Sequence, residues 1–204
     1  MIFRNALRIV KDWGFSIIYI SLYEIIYIIL GFKGNSFNFS RNKHMSDDIP
    51  VPYYFLNKIR LHLKKRKFKT FMDFGSGSGR VIYYFSKSFK KKKFIGIEYF
   101  TKQYNHSLNL FNHKKNISFI NKDFTKINFL QYKPDCFFFN NPFRDEKKCV
   151  IFINKIISKL PAKRKITFIF CNFDQSILLK IYKLKRIKHF YMTQNKGFSI
   201  FQLN

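Results

Sequence analysis

At 204 residues, with 47% hydrophobic and 20% aromatic residues, the chain suits one α/β domain with a short N-terminal extension, which excludes two full domains and a disordered polymer. Lysine and arginine number 39 against 11 acidic residues, a net charge of +28. That balance points to a polyanionic partner, a nucleic acid or an anionic membrane, against the competing reading of a compositional bias in which Lys, Asn, Ile and Phe rise together.

Trp13 to Phe32 is a run dominated by Ile, Tyr, Leu and Phe, long enough for a helix that crosses a bilayer, but Glu24 sits near its centre. Three readings fit it: a core or groove-covering helix, an interfacial membrane helix flanked by Arg4, Arg8 and Lys11, and a transmembrane span. No small-residue cleavage site follows it, as a signal peptide would require. Gly31 to Asp48 reads as a polar connector, so residues 1–43 form an N-terminal helix and linker and residues 44–204 the main domain. The location expected is cytoplasmic, with membrane association through residues 13–32.

Pro50 and Pro52 lead into a predicted helix over Tyr53 to Lys65. Apolar runs then alternate with helix-length polar ones: Thr70 to Phe74, Lys93 to Ile97, Ile117 to Ile120, Cys136 to Asn140 and Ile166 to Cys171 are the predicted strands. This rhythm predicts βαβ units and a parallel sheet covered on both faces. His189 to Thr193 and Gly197 to Leu203 close the chain as an antiparallel hairpin. Cys136, Cys149 and Cys171 are odd in number and lie in or beside apolar runs, which makes them reduced core residues; with five scattered histidines no metal is expected.

The segment richest in chemistry is Phe71-Met72-Asp73-Phe74-Gly75-Ser76-Gly77-Ser78-Gly79-Arg80, a strand running through glycines into a helix over Val81 to Ser88. Glycines let the chain turn sharply and let a ligand approach the backbone, and ligands bind such sheets beyond the carboxyl ends of the strands. A dinucleotide fingerprint would need its third glycine at position 80, where Arg80 stands. Asp73 would repel a pyrophosphate and attract the ammonium and sulfonium of S-adenosylmethionine. Glu98, after the next strand, is placed to accept from a ribose diol; Asp123 is placed to accept from an adenine amino group, with Phe124 packed on its ring. Asn140-Asn141-Pro142-Phe143 follows the fourth strand, where an amide and an aromatic would meet the acceptor of a transferred methyl group.

On the Asp-Phe-Gly-Ser-Gly loop, Gly79-Arg80-Val81, the Pro50-Val51-Pro52-Tyr53-Tyr54 lead-in and Asn141-Pro142-Phe143, the chain from about His44 onward resembles the class I S-adenosylmethionine-dependent methyltransferases, in particular a group of small, little-characterised bacterial members. The likeness extends loosely to protein-lysine methyltransferases with a similar loop. It implies a Rossmann-like, mostly parallel seven-stranded sheet with a C-terminal antiparallel hairpin and helices on both faces. It also implies S-adenosylmethionine as cofactor, held by Asp73, Gly75, Ser76, Gly77, Gly79, Glu98, Asp123 and Phe124. Asn140 or Asn141 would position the acceptor, and Pro142, Phe143 and Tyr54 would border it; Tyr53, Tyr54 and the N-terminal helix would close over the cofactor. The sequence departs from Asn/Asp-Pro-Pro-Tyr/Phe at Asn141, so both an amine and a hydroxyl stay open, on a protein, a small molecule or a membrane-linked acceptor. The alternative is a nucleic-acid-binding module on a degenerate form of the same fold, using Lys64 to Lys67, Lys90 to Lys93 and Lys183 to Lys188.

Overall fold

A computed structural model describes residues 16–32, 50–111, 114–143, 145–161, 164–179, 181, 183–191 and 196–203. Expectations resting on Arg4, Arg8, Lys11 and Trp13, and most of the Gly31 to Asp48 connector, lie outside the described residues. Helix α1 (Ser16–Ile29) comes first, followed by α2 (Tyr53–Leu63), β1 (Thr70–Phe74), α3 (Arg80–Ser88), β2 (Lys93–Glu98), α4 (Thr101–Phe111) and β3 (Ile117–Asn121). Two short 3₁₀ turns, Phe124–Lys126 and Phe129–Tyr132, lead to β4 (Cys136–Asn140), α5 (Glu146–Lys159), β5 (Thr167–Asp174), α6 (Gln175–Leu178), β6 (Leu184–Tyr191) and β7 (Lys196–Leu203).

The strands form one seven-stranded sheet in the order β3-β2-β1-β4-β5-β7-β6. Pairings from β3 through β5 are parallel, and β7 lies antiparallel to both β5 and β6. This is the mostly parallel sheet with a terminal hairpin expected from the sequence, flanked by helices on both faces. The chain order reverses between β1 and β4, so the loops after these two strands face each other across the position where open α/β sheets take ligands.

Alternation along the strands sorts the core into two layers. Phe71, Cys136, Phe138, Ile169 and Cys171 pack toward α2, α3 and α4. Met72, Phe74, Phe137, Phe139, Phe168 and Phe170 pack toward α5 and α6. In the second layer Phe74, Phe139 and Phe170 stack across β1, β4 and β5, with ring centroids 5.0 and 5.3 Å apart. Such rings fill the interior without a polar atom that must find a partner. All three cysteines are buried free thiols, and burial pushes those of Cys136 and Cys171 well above their ordinary range.

β6 begins at Leu184, earlier than the hairpin predicted from His189, because Lys185, Arg186 and Lys188 hide the strand within a charged run. They lie on the outer edge of the sheet, where charge discourages pairing with another chain. At the other end of the molecule α1 is amphipathic in an unusual sense. Ile20, Glu24 and Tyr27 face the domain, while Ile18, Leu22, Ile25, Ile26 and Ile29 are exposed. Among the described residues, which begin at Ser16 of this run, no helix is long and apolar enough to cross a membrane.

Candidate functional site

The site grows from the end of β1. Asp73 is 1% exposed and shares a face with Phe71, and the chain then turns through the glycine loop. Gly75 has φ +79° and gives its N–H to Ile97 O at 2.9 Å, while Ser76 N reaches the same oxygen at 3.0 Å, so the loop is tied to the end of β2. Gly79, at φ +85°, stands at the start of α3, where a Cβ would come within 3.0 Å of Phe111 and 3.1 Å of Phe119. Both the backbone conformation and the closeness of these rings demand glycine there.

Glu98 completes the anchoring. One of its oxygens accepts from Gly77 N at 2.8 Å and the other from Phe100 N at 2.8 Å. Burial pushes its carboxyl above the ordinary 4.5, against the lowering effect of the backbone N–H groups of Phe100, Gly77 and Tyr99. A carboxylate oxygen has room for a second donor, so Glu98 both positions the loop and keeps capacity for a diol. Asp123 Oδ1 caps the 3₁₀ turn by accepting from Thr125 N at 2.9 Å and Thr125 Oγ1 at 2.7 Å. The Phe124 ring is 4% exposed and packs on Phe74, Phe143 and Phe152.

Opposite the loop stands the turn after β4. A Cβ on Gly75 would lie 3.5 Å from Pro142 Cβ, which shows how closely the two segments approach. Asn140 Oδ1 accepts from Asn172 Nδ2 at 2.6 Å, so a residue at the β5 bulge holds this amide in place. Asn141 adopts φ +39°, and its Oδ1 is buried and makes no hydrogen bond among the described residues. Phe143 rests edge-on against Phe124 at 5.2 Å, and this contact fixes the far side of the turn.

Sequence reading missed the contact between Glu24 and Arg80 on the other side of the site. Arg80 is 5% exposed; its guanidinium meets Glu24 Oε2 at 2.8 Å and Val51 O at 3.2 Å, and lies 4.3 Å from the Tyr53 ring centroid. The other Glu24 oxygen accepts from Tyr53 N at 2.6 Å, capping α2 from a different helix where Pro52 offers no side-chain cap. The carboxylate that looked like a liability in an apolar run is therefore a latch between α1, α2 and the cofactor loop. Tyr54 lies outside the pocket, against Tyr23 of α1 at 5.2 Å and Phe55 at 5.2 Å.

Pro50, Val51, Asp73, Gly75, Arg80 and Asn140 are among the residues enclosing a cavity of about 20 Å³, room for about one water. By chemistry the residues fit S-adenosylmethionine: a buried carboxylate at Asp73 for its positive groups, a loop free of Cβ at Gly75 and a second carboxylate at Glu98. Among the described residues no group of three His, Cys, Asp or Glu could hold a metal ion.

The family model of the histone methylation protein DOT1 matches residues 51–196. No curated protein matches the sequence at a significant level. Three similar solved structures share the fold. A SAM-dependent methyltransferase from Aquifex aeolicus is 15% identical with a TM-score of 0.54, over 76% of this chain and 100% of that one. An RNA methyltransferase from Salinibacter ruber, in complex with S-adenosyl-L-homocysteine, is 11% identical with a TM-score of 0.58, over 76% of this chain and 92% of the other. The methyltransferase domain of bacterial CtHen1-C is 13% identical with a TM-score of 0.59, over 73% and 96%.

Proposed function

Because this chain belongs to the family of the histone methylation protein DOT1, and is thereby an S-adenosylmethionine-dependent methyltransferase, we propose that its acceptor is a neutral amine, a lysine side chain of a protein, held at Asn141. The observation that carries this reading is the buried Asn141 Oδ1, an acceptor that no group among the described residues satisfies, on the turn that faces the glycine loop. A buried polar atom without a partner costs about 1–3 kcal/mol, so a substrate N–H that meets it gains that much in orientation.

When bound, the cofactor supplies an electrophilic methyl on a sulfur that departs as a neutral thioether. The chain's own contribution is geometric. Asn141 takes one N–H of the amine, which turns the nitrogen lone pair toward the glycine loop. The new N–C bond forms as the S–C bond breaks, and the ammonium product gives its surplus proton to solvent. An amine suits the site better than a hydroxyl, which needs a general base during transfer. Among the described residues lining the cavity, Asp73 is the one carboxylate and no histidine is present. The exposed apolar stripe of α1 supports a further reading of place, in which this helix rests on a lipid surface without crossing it.

The test is transfer of labelled methyl from S-adenosylmethionine to histone and other lysine-bearing peptides. Asn141→Gly, which tolerates the positive φ, is expected to lower kcat/KM about 10- to 100-fold while cofactor affinity is kept. Methylation of hydroxyl acceptors with lysine peptides untouched would overturn the amine assignment.

A further inference from the structure

At the amino-terminal ends of β1, β2 and β3, a groove of about 880 Å³ opens on the pole of the sheet away from the glycine loop. Seven of its fourteen lining residues are basic and none is acidic, against 39 basic residues in 204 over the whole chain. A compositional bias spread evenly would not concentrate charge in one concavity. Lys69, Lys91, Lys93, Lys115, Lys133 and Arg164 come from five separate stretches of chain, so the fold itself gathers them.

The groove is shaped by hydrogen bonds that leave its cations available. Asn116 Nδ2 donates to Lys92 O at 2.8 Å and to Lys90 O at 3.3 Å, which holds the turn before β2 against β3. Arg164 donates to Lys133 O at 2.7 Å, bringing two cationic residues together. The nearest acid, Asp135, is already engaged: it accepts from Lys69 N and Thr70 N at 2.9 Å and lies 3.7 Å from Arg164. Among the described residues none of the groove's lysines forms an ion pair with a carboxylate, so no acid among them relieves their mutual repulsion. The other basic runs have different settings: Lys64 to Lys67 end α2, with Arg66 donating to Gln202, and Lys185 to Lys188 guard a sheet edge.

We propose that this groove binds the phosphodiester backbone of a single-stranded nucleic acid. A lipid bilayer presents a broad surface that meets flat or convex patches, whereas these cations line a concavity, as in grooves that track a single strand. Tyr132, half-buried among them, offers a ring, and Gln131 and Ser118 offer polar edges. Strands of five or six residues separate the groove from the glycine loop, so a bound strand leaves the catalytic end open. The binding does not depend on which acceptor receives the methyl group.

Fluorescence anisotropy with a labelled oligouridylate, from about 50 to 200 mM salt, tests it on the full chain. Wild-type affinity should fall steeply with salt. The triple variant Lys69→Gln, Lys93→Gln, Lys133→Gln should lose about tenfold or more in affinity and about 2 in log–log salt slope, three contacts at about 0.7 each. Lys64→Gln, Lys65→Gln, Lys67→Gln removes equal charge elsewhere and should lose far less, and S-adenosylhomocysteine binding by calorimetry should be the same in all three proteins. Absent binding at the lowest salt, or equal losses in the two variants, overturns the proposal. So does sedimentation with phosphatidylserine vesicles that the groove variant abolishes while oligonucleotide binding stays unchanged.

Discussion

Both oxygens of Glu98 already accept backbone N–H groups, so the residue shapes the glycine loop before it serves any ligand. Two opposite pH trends follow from its raised carboxyl pKa. A carboxyl raised in the folded state contributes stability that is present below its unfolded value of 4.5 and is lost as pH rises through the folded value. Cofactor affinity runs the other way, because only the ionised form accepts at both oxygens, so affinity should strengthen over the same window. Glu98→Gln is expected to flatten both trends and weaken S-adenosylhomocysteine binding by about 1.5–3 kcal/mol, roughly 10- to 150-fold, measured by calorimetry from pH 4.5 upward. Binding that keeps its pH slope in the variant would assign the titration to another group. The position of Glu98 was legible in the sequence because a strand-end carboxylate after a glycine loop is a local pattern. Its service to Gly77, twenty-one residues away, was not, since nothing local announces that contact. Phe124 shows the same limit: its place beside Asp123 was legible, but its packing on Phe74, Phe143 and Phe152 comes from distant segments.

Helix α1 is where local reading was most ambiguous. Its apolar residues fall on both faces, so periodicity alone does not say which face is covered, and Glu24 counted only against a lipid span. Arg80 resolves it, fifty-six residues later. The pair holds three elements with one carboxylate, and its arginine side chain is 6% exposed against 25% for the glutamate. Removing Glu24 takes the carboxylate away from a buried guanidinium and uncaps α2. We expect Glu24→Ala to cost about 1–3 kcal/mol, a fall of several degrees in Tm for a chain of this length. In a double-mutant cycle with Arg80→Met, the two losses should be clearly less than additive, as they are for groups in contact. Additive losses would show that the pair stabilises nothing jointly. The strands β1 to β5 were legible because each is a short apolar run between helix-length polar ones. β6 was not, because an edge strand carries charge where a central strand carries phenylalanine.

As a whole the molecule has two poles. One holds the glycine loop and the Asn140–Phe143 turn where strand order reverses; the other holds the basic groove. Neither the strand order nor the clustering of lysines is written in any single stretch of sequence, because both depend on pairings between segments tens of residues apart. Between the poles lies an interior built on phenylalanine, of which the chain has 28, against a single tryptophan, Trp13, three residues before α1 in the sequence. The core is therefore almost dark in the indole emission band, and the one strong emitter precedes in sequence the helix with the exposed apolar stripe. Excited where tyrosine absorbs little, the protein should show a blue shift and brighter emission on mixing with anionic vesicles if α1 settles at a lipid interface, and Ile25→Glu with Ile29→Glu should abolish the change. An unshifted spectrum would leave α1 off the membrane. The same optical silence of the interior means that this signal reports on the N-terminal region without a background from the fold.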